Sequence, residues 1–236
     1  MLSSINFIMC FSPQISLITA LVEFLLVAII LIRFRKSLVS RFIAIIIFFL
    51  GFYQFTEFML CSSTNIDLWI KLGFITYTFL PALALHAVLK LLRPKHKFLF
   101  LYLPPIIFSA TALLYKGFAV SGVCHSVFIS VNTAFFSHDF HAVFSIIYGA
   151  YYFGFIFLAC LFAAKQIIRE KDKFKKRLLV IGLAGVLLAT IPAFTFVIIF
   201  PYFRIMFPSV YCEFALLAAI AGYIVSYMHY KHKFKK

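Results

Sequence analysis

Acidic residues are scarce in this chain: seven Asp and Glu in 236 residues, against 22 Lys and Arg. Charge of either sign is thin, at 12% of positions, where a soluble domain carries about 25%. Hydrophobic residues fill 64% of the chain, against about 45–50% for an ordinary soluble fold. A globular domain of this length has no interior for so much apolar surface. The composition therefore excludes that class and makes lipid the solvent.

What is present is a set of seven long apolar runs, at about residues 15–32, 42–60, 68–92, 98–115, 142–168, 178–200 and 205–228. A span needs about 20 apolar residues, so seven spans and short loops use nearly the whole sequence. They leave no room for a folded soluble domain. Of the 22 basic residues, all but Lys71, Lys116 and Arg204 fall beside the gaps after the first, third, fifth and seventh runs. Cytoplasmic loops carry excess Lys and Arg. The expected fold is all-α, a polytopic seven-transmembrane helix bundle forming one domain over residues 1–236, N-terminus outside and C-terminus cytoplasmic. Residues 1–14 carry no charge, so the first run reads as a span rather than a cleavable signal. The net charge of +15 sits at helix ends, where it meets anionic headgroups; nucleic acid is not an expected partner.

Smaller features add detail. Trp69 and Lys71 stand where an interfacial anchor belongs. Pro104-Pro105 predicts a kink in the inner third of the fourth helix. The long outer connection, about 116–141, reads as a lid or a short interfacial helix.

Three acidic residues fall within spans: Glu23, Glu57 and Glu213. A carboxyl at membrane depth is costly and marks a candidate site. Gln54 precedes Glu57 by three positions, on the same helix face. Together they suit a ligand amine or hydroxyl arriving from outside. The plainer alternative is a polar group bonding two helices together. Glu213, at the outer start of the seventh helix, is expected to converge with Glu57, and Glu23 to lie deeper. His86 is the one histidine deep in a span, a candidate ligand-binding or proton-shuttling group, or else a hydrogen-bonded core residue. His125, His138, His141 and Asp139 cluster in the outer loop, yet without the spacing of a zinc motif; no metal or other cofactor is assigned.

Four of the five cysteines map to the outer side, where disulfides persist. The best pair is Cys61 with Cys124, which would pin the long loop above Glu57. Cys10 and Cys212 leave other pairings open, and free thiols are the alternative.

Some absences narrow the chemistry. The last run has no Lys for a retinal Schiff base. No HExxH or GxSxG sequence points to a membrane protease or esterase. No Asp-rich pair suggests prenyl transfer, and no Asp-Arg-Tyr or Asn-Pro-x-x-Tyr a eukaryotic G-protein-coupled receptor.

Four stretches carry a diffuse likeness: Leu68 to Phe74 leading to Leu80-Pro81-Ala82, Tyr102-Leu103-Pro104-Pro105, Lys176-Arg177-Leu178-Leu179, and Ala221 to Tyr227 running into a basic exit. In these the chain resembles the seven-transmembrane N-terminal sensor region of bacterial histidine kinases, without the kinase. The resemblance implies a sensor in a bacterial inner (plasma) membrane that needs a separate cytoplasmic partner for output. The leading expectation is thus a receptor-like module, not an enzyme, binding an apolar or amphipathic ligand near Gln54, Glu57, Glu213 and His86. Its basic inner face would meet anionic lipids and a cytoplasmic signalling protein. A membrane-embedded lipid-modifying enzyme is the alternative, and a small-solute or proton transporter a third reading.

Overall fold

The computed structural model describes residues 13–92, 97–124, 129–134, 142–199 and 214–234. The described residues form seven α-helices: α1 (Pro13–Arg33), α2 (Leu38–Ser62), α3 (Ile66–Leu92), α4 (Leu103–Leu114), α5 (Ala142–Arg169), α6 (Lys173–Ile199) and α7 (Ala215–Phe234). Four of them, α1, α2, α3 and α5, are long and apolar enough to cross a membrane by length and composition. Their outward faces suit hydrocarbon. Ile18, Leu25 and Ile32 on α1 and Val143, Ile146, Phe157 and Ile168 on α5 are each more than half exposed. In water such contiguous apolar faces would drive association.

Caps explain where several helices begin. Ser37 accepts from the backbone N–H of Ser40 at 3.2 Å, so α2 starts four residues before the expected position. Asp172 accepts from Phe174 at 2.8 Å and draws α6 back to Lys173, ahead of the expected 178. Asn65 serves α3 by accepting from Leu68 at 3.2 Å. Such caps are each worth about 1 kcal/mol, and they outweigh the hydropathy boundary because a helix continues past the hydrocarbon wherever its ends are satisfied.

The helices pack in a circuit: α2 on α3, α3 on α5, α5 on α6, α6 on α7, and α7 back on α2. Helix α1 lies on α2 and α7, and α4 on α3. Small residues allow the closest approaches. A Cβ placed at Gly185 on α6 would come within 2.6 Å of Ala221 on α7, and one at Gly222 within 2.8 Å of Ile43 on α2. Small-residue contacts are how helices associate where lipid removes the hydrophobic drive.

Two expectations are corrected. Where it is described, the long connection after α4 is not an interfacial helix: it is an antiparallel hairpin, β1 (Ala119–Cys124) with β2 (Ile129–Thr133). The fold is therefore helical with one small sheet. Pro104-Pro105 does not kink a helix. The prolines stand in the first turn of α4, after a 3₁₀ turn over Leu99–Tyr102, where a missing N–H costs nothing.

The hairpin is firmly seated. Gly122 packs on Leu60, Ile66 and Ile70, where an added Cβ would meet each within about 3.3 Å. Phe118, fully buried, sets its ring 4.8 Å from that of Phe74. A disulfide joins Cys61 at the end of α2 to Cys124 at the end of β1. At the same end of the bundle Lys71 pairs with Asp67 at 2.9 Å, an i,i+4 ion pair beside Trp69.

Candidate functional site

The contact between α1 and α2 buries two carboxyl groups, Glu23 and Glu57. Helix α1 buries Ala20, Glu23, Ile30 and Phe34, spaced by three, seven and four positions, a single stripe along one face. Helix α2 faces it antiparallel. Ser16 donates to Glu57 Oε2 at a long 3.4 Å, and Gly51 takes the Glu23 side chain. A Cβ at position 51 would lie 3.1 Å from Glu23 Cβ and 3.2 Å from the ring of Phe24. The missing side chain at Gly51 is what lets a glutamate fit between two close helices.

Gly51, Gln54 and Glu57 follow one another at intervals of three, so all lie on or near that seam. Gln54 and Glu57 are buried, and Glu23 is fully so. Neither Glu23 oxygen has a hydrogen-bond partner among the described residues. From Gly51 to Glu57 is six residues, about 9 Å along the axis. The two carboxyls therefore occupy different depths rather than one cavity.

Inward of Glu23 the seam changes character. Ile30, Phe34, Ala44, Ile47 and Ala219 form an apolar cluster with Leu26, Val27, Ile43, Tyr223 and Tyr230 packed around it. The carboxyl-bearing part of the seam thus lies toward the Cys61 end of α2 and the apolar cluster toward its Ser37 end.

His86 does not belong with Gln54 and Glu57. It stands opposite Phe42 on α2, ring centroids 4.7 Å apart. That is fifteen residues from Glu57, or about 22 Å along α2. Its Nδ1 shares a hydrogen bond with the Tyr102 hydroxyl at 2.8 Å, and its Nε2 is buried without a partner among the described residues. The antiparallel run of α3 forces this separation: Gly73 meets Thr56, Tyr77 meets Tyr53, and each further turn of α3 carries His86 deeper. Glu213 lies outside the described residues, as do His125, His138, His141, Asp139, Cys10 and Cys212. Among the described residues no three His, Cys, Asp or Glu side chains are placed to hold a metal ion.

The structure adds Ser16 to the site. Its signal was present: Ser16 and Glu23 are seven apart, two turns on one face. Tyr102, the partner of His86, had no such signal, because it comes from another helix.

At the other end of the bundle, Ser37 Oγ and His229 Nδ1 are 3.0 Å apart, and Phe174 stacks on His232 with centroids 3.9 Å apart. These contacts bring the starts of α2 and α6 to the end of α7, gathering the basic segments on one side. The two acids there are occupied locally. Glu170 accepts from the Asp172 backbone N–H at 3.2 Å and from the Gln166 amide at 3.1 Å. Those bonds hold its carboxyl below the usual carboxylate range. Lys171, Lys173, Lys175, Lys176 and Arg177 make no ion pair among the described residues.

The chain was compared with models of known protein families and with curated proteins, and it matches none of them.

Proposed function

We propose that this protein is an integral membrane sensor or receptor-like module, built as seven spans with the N-terminus outside and the C-terminus in the cytoplasm of a bacterial inner membrane. Orientation is supported by the two ends of α2. Cys61 and its disulfide sit at one end, and Arg33, Arg35, Lys36 and Arg41 cluster at the other. The disulfide, suited to an oxidising outer side, and the basic residues, suited to the cytoplasmic side, are thereby at opposite ends of one helix.

The ligand is an amphipathic molecule with an amine or hydroxyl head. It inserts from the outer side between α1 and α2, its head toward Glu57 and Gln54 and its apolar part along the seam. The observation that carries this reading is the buried Gln54–Glu57 face on a column that ends, at Ile30 and Ile47, in an apolar floor. A site closed below suits detection. It does not suit transport, which needs a polar path to both sides. Parting of α1 from α2 then moves Phe34, Ser37 and His229 at the inner end. The basic inner surface rests on anionic lipid and offers itself to a separate cytoplasmic signalling protein.

The lipid-modifying enzyme has one observation in its favour, the Ser37–His229 hydroxyl–imidazole pair. Ser37 Oγ is already the cap of α2 and is buried. That commits its oxygen to structure and places this reading second.

The test is thermal unfolding of the protein in lipid nanodiscs with a long-chain primary amine. The amine is expected to raise the midpoint in a concentration-dependent way. Glu57→Gln should abolish the rise and His86→Ala should keep it. An equal rise in Glu57→Gln would remove the site from this seam.

A further inference from the structure

Glu23 occupies a place in the α1 stripe where its neighbours are Ala20, Ile30 and Phe34. It is fully buried, and both carboxyl oxygens lack a hydrogen-bond partner among the described residues. An ionised carboxylate needs a counter-charge or several donors in a non-aqueous interior. Across the seam stand the bare backbone of Gly51 and, on the same helix as Glu23, the ring of Phe24. The two helices packed on α1 supply no charge there. On α2 the titratable groups are Tyr53, which turns edge-on to Tyr77 of α3, Glu57 about two turns outward, and Arg41 near the inner end. On α7 the described titratable groups, Tyr223, Tyr227, His229, Tyr230, Lys231, His232 and Lys233, all lie inward of Ala219. Ala219 itself belongs to the apolar floor. Glu213, before α7, is outside the described residues.

We infer that Glu23 is a proton-binding site, reached from the outer side of the membrane through the Gln54–Glu57 column. The closed seam holds the neutral acid. When α1 and α2 part, water enters from the outer end and the O–H bond at one carboxyl oxygen breaks, the proton leaving to that water. Closure re-forms the same bond with a proton from the same side. Nothing is oxidised or reduced, and the proton returns to the side it came from, because the layer next below Glu23 is the apolar cluster at Ile30 and Ile47. A metal cation is a poor occupant: no set of three metal-ligating side chains occurs among the described residues. A proton needs only the carboxyl. The inference does not rest on the amphipathic ligand, since it concerns a different residue at a different depth.

The test is infrared difference spectroscopy on oriented proteoliposomes, with the pH raised on one side at a time. A carboxylic-acid C=O band above the amide I region is expected to fade when the outer pH is raised and to persist when only the inner pH is raised. Glu23→Gln, an isostere of the neutral acid, should remove that band, and Glu23→Asp should keep it at a shifted frequency. His86→Ala, remote from the seam, should leave it in place, and the band is read with no amine present, so failure of the two readings can be told apart. A band that survives in Glu23→Gln, or one that responds only to inner pH, overturns the inference; so does the absence of any acid band.

Discussion

Two interfaces in this bundle bury polar groups at similar depth and treat them in opposite ways. Between α3 and α5, the Thr78 hydroxyl meets the Tyr148 hydroxyl at 3.0 Å, and Tyr151 donates to the Thr78 carbonyl at 2.7 Å. These bonds lie one turn from Pro81, where the helix ladder is already broken. Phe74, Phe108 and Phe118 seal them in aromatic contacts. Between α1 and α2, Glu23 is buried beside Gly51 with no hydrogen-bond partner among the described residues. A satisfied network specifies packing. An unsatisfied carboxyl costs stability. The α3–α5 contact is thus the satisfied interface of the bundle, and the α1–α2 seam is the one where we propose that function resides.

That contrast can be broken at several points. The largest effect is expected where the scaffold is stapled. Replacing Cys61 and Cys124 with Ser frees a loop of 63 residues in sequence separation. On chain-entropy grounds this should lower stability by about 4 kcal/mol, read by denaturant unfolding in nanodiscs with and without reductant. Next is the α6–α7 contact. Gly185→Val must force Ala221 away and should cost about 1–3 kcal/mol as an overpacked site.

The two interfaces themselves should then respond with opposite signs. Tyr148→Phe removes a bond to Thr78 and should destabilise by about 0.6–1.7 kcal/mol, the range of interhelical hydrogen bonds in membranes. Glu23→Leu replaces an unsatisfied carboxyl by an apolar side chain of similar size. It should be neutral or stabilising by about 1 kcal/mol. A Glu23→Leu protein less stable than Tyr148→Phe would mean that the glutamate has a structural partner after all.

The helices were readable from sequence because span length and charge placement act along the chain. Their ends were less so: Ser37 and Asp172 extended α2 and α6 through local hydrogen bonds that hydropathy does not register. The hairpin was missed because Ala119–Cys124 and Ile129–Thr133 are short, and their apolar residues fit an interfacial helix equally well. Pairing the Cys61 and Cys124 thiols was possible, since both had to lie near the outer mouth. Grouping His86 with Glu57 failed for a geometric reason. Both are buried and polar, but antiparallel packing of α2 and α3 separates them by depth, which a list of buried polar residues does not carry. Gln54 and Glu57 shared a helix face in the sequence. The partner across the seam, Ser16, needed the register between two helices.

The account's central claim is that an amphipathic ligand enters the outer half of the α1–α2 seam. The most direct measurement is photocrosslinking in nanodiscs with a long-chain amine carrying a diazirine on its chain, followed by peptide mapping. Adducts are expected on residues 16–23 and 51–57, competed by unlabelled amine and lost in Glu57→Gln. Adducts confined to the lipid-facing residues of α1 and α5, unchanged by competitor and by Glu57→Gln, would contradict it.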